Sequence, residues 1–210
     1  MWEDAVAQAT RTFVSVLPVL NPIAALPLFV SLTVGAPEAY RHHQARLVAV
    51  YVIAIMAVAL LAGHLVLRFF GISVGELQIA GGLIVAHTGW EMVASTPRLT
   101  QPETDEASTK GDIAFTPMAL PMLSGPGVIA LLIGTAARTP GWGGYLGSLA
   151  AIVLLGLICY VCLLLADPLT KRLGATGMGA LNRVMGFLIL AIAVNFVVEG
   201  IRGVVRQGWP

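Results

Sequence analysis

Long apolar stretches alternate with short polar connections along this chain. Charge-free runs occupy residues 12–37, 113–137 and 139–166. Each is longer than the ~20 residues a helix needs to cross a hydrocarbon core. The pattern predicts six spans, at about 11–33, 46–70, 74–94, 113–137, 144–167 and 180–203. The connections carry turn chemistry: GAPEAYRHHQAR between spans one and two, RFFGISVGE between two and three, TPGWGG between four and five, and DPLTKRLGATGMG between five and six. The one long polar segment, STPRLTQPETDEASTKGD, divides the chain into a first unit (1–94), a linker (95–112) and a second unit (113–210).

The two units repeat one another. Residues 17–27 read LPVLNPIAALP and residues 116–128 read TPMALPMLSGPGV, with Pro22 and Pro126 standing 104 positions apart. The same shift carries Gly75 onto Gly179, Leu77 onto Leu181, Gln78 onto Asn182 and Gly82 onto Gly186. Three spans is an odd number, so two consecutive copies must be inverted about a pseudo-twofold axis in the membrane plane. The expected fold is all-α: a polytopic membrane protein of six transmembrane helices in two inverted three-helix repeats. The first helix of each repeat is broken by proline and glycine.

Composition agrees with a membrane as solvent. Mean hydropathy is +0.86 and charged residues make up 11% of the chain, against roughly 25% in soluble domains. A net charge of +1 without a basic tail speaks against a nucleic-acid partner. MWEDAVAQATR places two acids before its only arginine, the wrong start for a cleaved signal peptide, so the first span is expected to be retained. Arg41, Arg46, Arg98, Lys110, Lys171, Arg172 and Arg183 fall on one side, and Arg11, Arg68, Arg138, Arg202 and Arg206 on the other. Seven against five puts the linker in the cytoplasm and both termini outside. Cys159 and Cys162 share a face of an apolar helix and read as small apolar filling rather than a redox or metal pair.

The polar residues within the spans carry the candidate chemistry. Pro18, Pro22 and Pro27 each remove a helical hydrogen bond, and Asn21 stands at the break. The freed backbone groups cannot face lipid, so they line a cavity or meet neighbouring side chains. One such span alone reads equally as a kinked packing helix. The second copy, with Thr116, Pro117, Pro121, Ser124, Gly125, Pro126 and Gly127, favours a ligand or ion pathway at mid-membrane. Amides freed at the half-helix N-termini after Pro22 and Pro126 would suit a carboxylate. The Asn21 oxygen, the Thr116 or Ser124 hydroxyl, or unwound carbonyls would suit an ammonium group. The predicted binding set is Asn21, Pro22, Thr116, Ser124, Gly125, Pro126, Gly127 and Asn195. The shift pairs Asn195 with Glu91, so both third spans place a polar group at one level. His87 and Glu91 lie four apart and read first as a hydrogen-bonded pair near the cytoplasmic end, second as a proton relay or metal site. His64 reads as interfacial.

The pieces NPIAALPLFVSLT, FGISVGELQIAGGLIV, AFTPMALPMLSGPGVIA and LGATGMGALNRVMGFLILAIAVNFV resemble the MarC family of inner-membrane proteins across nearly the whole chain. Ala24 stands where that family usually has glycine. The resemblance implies a multi-pass protein of a bacterial or archaeal inner membrane and, by analogy with some relatives, a secondary transporter of small neutral amino acids. No cofactor is implied beyond a coupling ion, H⁺ or Na⁺. The lack of a carboxylate at either break favours Na⁺, and the chain has no GxxxxGK[ST] motif for ATP. The competing expectations are a cation or metal exporter and a non-transporting stress or assembly protein; an enzyme is not expected.

Overall fold

The computed structural model describes residues 2–94, 111–139 and 141–206. Most of the predicted linker, with Arg98 and Lys110, lies outside them. Every regular element among the described residues is helical. Helix α1 (Trp2–Leu20) leads through a short 3-10 turn (Pro22–Ala25) into α2 (Leu26–Leu32). Helices α3 (Glu38–Phe70) and α4 (Val74–Ala94) complete the first unit. An irregular coil (Ala114–Leu123) opens the second unit and leads into α5 (Pro126–Ala137), α6 (Gly141–Leu164) and α7 (Ala166–Arg206).

Local chemistry explains where these helices begin and end. Glu3 and Asp4 occupy the first turn of α1, where negative charge complements the helix dipole. The helix stops at Leu20 because Asn21 adopts a left-handed conformation (φ 42°, ψ 65°) and Pro22 has no amide to continue it. Helix α3 ends on Gly71, also left-handed at φ 67°, with the Ile72 amide returning 2.9 Å to the Leu67 carbonyl. Ser73 and Glu76 form a capping box on α4: the Ser73 amide donates to Glu76 Oε2 (2.7 Å) and the Glu76 amide to Ser73 Oγ (3.2 Å).

Four of the spans are long and apolar enough to cross a membrane: Trp2–Leu32, Glu38–Phe70, Gly141–Leu164 and Ala166–Arg206. A fifth candidate is the pair Ala114–Leu123 and Pro126–Ala137, bent by 65°. Helix α4 has 21 residues, about 31 Å at 1.5 Å per residue. Its length would suffice, but Glu76, Gln78, His87, Glu91 and its glycines dilute its apolar character, and it does not qualify.

Several boundaries differ from the sequence expectation for one reason. Helix α1 starts at Trp2 rather than near 11, and α3 starts at Glu38 rather than near 46. DPLTKRLGATGMG, read as a connection, is helical apart from Gly174 (φ 63°, ψ 179°). Apolar runs mark the lipid-matched part of a helix. Charged turns such as Glu38–Arg46 extend the same hydrogen-bonded helix beyond it.

Large apolar side chains such as Phe29, Met56 and Leu155 fill the core, and many others lie on the outside. Phe69, Leu65, Leu146, Phe187 and Val194 are each at least 60% exposed, an apolar surface far larger than a protein in water sustains. Helix α1 packs on α6, α3 on α5 and α6, and α4 on α5 and, most extensively, on α7. Buried polar pairs tie the bundle together. The Thr12 and Ser148 hydroxyls lie 3.1 Å apart, Gln8 Nε2 donates to Thr139 Oγ1 (2.9 Å), and the Ile113 amide donates to Gln44 Oε1 (3.2 Å). Arg41 pairs with Asp167 where α3 meets the start of α7.

The α4–α7 contact rests on small residues at heptad spacing. Gly75, Gly82 and Gly89 face Gly200, Ala193 and Gly186, in antiparallel register. A Cβ on Gly75 would lie 2.9 Å from the Gly200 carbonyl oxygen, and one on Gly200 would lie 2.7 Å from that of Gly75. The same holds at the other end, where Gly89 and Gly186 would each press on the opposite carbonyl at 2.9 and 2.8 Å. Backbones can approach this closely only where side chains are absent.

Candidate functional site

The two proline segments break the chain in different ways. In the first, the Ala24 amide donates to Asn21 O (3.1 Å) and the Leu26 amide to Ile23 O, so the 3-10 turn uses most of its own donors. The helix that follows has only seven residues. The second is wider. The Met118 and Ser124 amides reach back five residues, to Ile113 O (3.3 Å) and Ala119 O (2.8 Å). Thr116 and Leu120 are extended, each joined to its proline by a cis peptide bond. Gly125 is extended at φ −67°, ψ 174°, and α5 starts at Pro126. The Gly127 and Val128 amides therefore fall in the first helical turn, where no intrahelical acceptor exists.

A cleft of about 170 Å³ lies against the second break. Its walls are Val19 of α1, Ile84, Val85, Thr88 and Glu91 of α4, and the stretch Pro121–Leu123 with Gly125–Val128. Next to this cleft, two buried polar atoms have no partner among the described residues: Asn21 Oδ1 and Ser124 Oγ. Asn21 is 2% exposed and Ser124 0% exposed. The Asn21 amide nitrogen points to the Met92 sulfur at 3.6 Å, a weak acceptor beside Glu91. Leaving a buried polar atom unpaired costs about 1–3 kcal/mol, and native structures rarely do so without a reason.

A second cleft, of about 550 Å³, opens at the other end of α4. Ser15 and Pro18 of α1, Gln78 of α4, Thr135 and Arg138 of α5, and Asn195 and Glu199 of α7 line it. Arg138 bridges these elements: Nη2 donates to Gln78 Oε1 (2.8 Å), and Nη1 lies 3.6 Å from Glu199 Oε2. Arg202 lies 3.2 Å from the other oxygen of Glu199. Helix α5 begins in the first cleft and ends in the second.

The predicted site residues divide between these surroundings. Gly125, Pro126 and Gly127 line the first cleft, while Asn21, Pro22 and Ser124 are buried at the breaks. Thr116 does not join them. It is exposed, because the extended backbone before Pro117 turns its side chain out of the bundle. Asn195 is also exposed and belongs to the second cleft. His87 and Glu91 form the i,i+4 pair that the sequence favoured, with His87 3.2 Å from Glu91 Oε1 in the last turns of α4, and Glu91 also lines the first cleft. The argument for Na⁺ from a missing carboxylate therefore fails. The correspondence of position 91 with 195 was the signal for Glu91, since both positions face a cleft. His64 is exposed, and Cys159 and Cys162 are free thiols packed in α6.

Comparison with known proteins gives a consistent answer. The profile of the MarC family integral membrane proteins matches residues 6–205. The chain is 35% identical over 208 residues to the UPF0056 inner membrane protein MarC of Salmonella typhi, covering 92% of this chain and 93% of that protein. It resembles the protein of the same name from Citrobacter koseri to the same extent, 35% over 208 residues, again 92% of this chain and 93% of that one. UPF0056 membrane protein MJ1677 of Methanocaldococcus jannaschii is 36% identical over 194 residues, covering 91% and 94% of the two chains. No solved structure matches. With its long apolar helices and relatives named inner membrane proteins, the chain is a polytopic protein of the inner membrane. It belongs to the MarC family of integral membrane proteins.

Proposed function

We propose that this protein is a secondary transporter of small neutral amino acids, of the glycine, alanine and serine class. The observation that carries the reading is the pair of unpartnered buried oxygens, Asn21 Oδ1 and Ser124 Oγ, beside a small cleft at the broken segments. A solute with hydrogen-bond donors would satisfy them. Its carboxylate has a place at the Gly127 and Val128 amides, where the α5 dipole favours negative charge.

Two clefts at opposite ends of α4 suit alternating access, in which the solute position opens first to one side and then to the other. The packing pattern supports two inverted repeats of three spans, with α4 as the third. Under the 104-residue shift, the α1–α6 contact exchanges with α3 against the second break and α5, and α4–α5 exchanges with the contacts of α7 on α1 and α2. The α4–α7 contact maps onto itself and is antiparallel. In this reading the linker is cytoplasmic and the termini lie outside. A gradient of H⁺ or Na⁺ drives the cycle.

Uptake of labelled glycine, alanine and serine into proteoliposomes, with imposed H⁺ or Na⁺ gradients, tests the proposal. Gradient-dependent accumulation above that of empty liposomes is expected. Uptake equal to empty liposomes for all three solutes, under either gradient, would overturn it.

A further inference from the structure

The reading above uses backbone amides and small side chains and leaves one group in the first cleft unassigned. Glu91 is the charged residue of that lining, and its side chain is 26% exposed. His87, itself 73% exposed, holds one carboxylate oxygen, Oε1, at 3.2 Å. Among the described residues no other side chain is bonded to the carboxylate. Position 91 corresponds in the repeat to Asn195, which lines the second cleft. The fold therefore turns the same position toward a cleft in both units, and only the first unit puts a formal charge there. Such a carboxylate, among Val19, Ile84, Val85, Leu123 and Val128, calls for a cation.

The other groups in the cleft narrow the kind of cation. The Thr88 hydroxyl donates to Ile84 O (3.1 Å), which leaves its lone pairs facing outward as acceptors. A primary ammonium carries three donors that a carboxylate oxygen and a hydroxyl can accept. Thr88 and Glu91 carry the side-chain oxygens among the lining residues, so a bare alkali ion would depend on backbone carbonyls for the rest of its shell. The volume, about 170 Å³, fits a solute of a few heavy atoms.

We propose that Glu91 is the ammonium-binding, specificity-determining residue of the first cleft, which thereby selects solutes bearing a primary ammonium group. The inference rests on the transport reading for the position of the solute, but it is a statement about binding and is tested as binding.

Calorimetric titration of the purified full chain in detergent, with ethylamine, glycine, glycolate and NaCl as separate probes, provides the test. Ethylammonium and glycine should bind, and glycolate, which lacks the ammonium, should bind at least about ten-fold more weakly than glycine. Glu91→Gln should remove that preference at unchanged thermal stability, and Glu91→Asp should restore part of it. The native protein's own ligand series decides the matter if the variants fold poorly. The inference is overturned if wild-type protein binds no ethylammonium or takes glycolate as well as glycine. Na⁺ displacing ethylammonium, or unchanged ethylammonium affinity in Glu91→Gln, would overturn it too. Binding as described without any uptake into liposomes would instead remove the transport reading and leave the ammonium site standing.

Discussion

Asn21 and Ser124 each bury a polar oxygen that meets no partner among the described residues, and the two side chains respond differently to substitution. Ser124 has φ −96°, open to any residue, so Ser124→Ala removes the hydroxyl and little else. The variant should match or exceed wild-type thermal stability, because an unpaired buried hydroxyl costs about 1–3 kcal/mol. Its affinity for the solute should fall by a similar amount. Unfolding and binding measured on the same preparation check both halves, and a loss of stability with unchanged binding would mark Ser124 as a packing group. Asn21 holds a left-handed backbone that asparagine and glycine tolerate, so Asn21→Gly is the informative change there. The first broken span alone left Asn21 evenly between a packing break and a binding group, and the second proline segment, 104 residues on, tipped the reading toward binding. Sequence reasoning misplaced Thr116, since a hydroxyl beside a proline does not reveal which way the extended backbone turns. It paired Glu91 with His87 as the structure does, but their spacing on one helix does not reveal that Glu91 also borders a cleft.

At the level of helices, the close α4–α7 contact depends on three small residues in each. Gly89→Val should cost about 1–3 kcal/mol through overpacking against the Gly186 carbonyl and Leu190. Gly179→Ala, with nothing within 4 Å of the added carbon, should be neutral. Equal stability of the two variants would deny that the small-residue seam holds these helices together. Apolar runs placed the central part of each long helix but took the first third of α7 for a connection, and proline spacing placed both breaks. The seam itself was visible as Gly75–Gly82–Gly89 and Gly186–Ala193–Gly200, a period of seven on each side, but only a partner helix gives that period meaning. Helix ends were less legible because hydrogen bonding continues past the point where hydropathy falls.

The whole molecule joins these features into one arrangement: broken segments between two clefts that open at opposite ends of α4. Thr88 lines one cleft and Asn195 the other. The polar cross-links between elements, such as Arg138 to Gln78, were invisible in the sequence because their partners are far apart in the chain. Sided labelling of single cysteines tests the central claim most directly. Cys159 and Cys162 are replaced by alanine, Thr88→Cys and Asn195→Cys are made separately, and each is exposed to a membrane-impermeant maleimide from either side of oriented vesicles. The account predicts that position 88 reacts from one side and position 195 from the opposite side, with glycine or alanine slowing both. Reaction of both positions from the same side, or rates that no small amino acid changes, would contradict it.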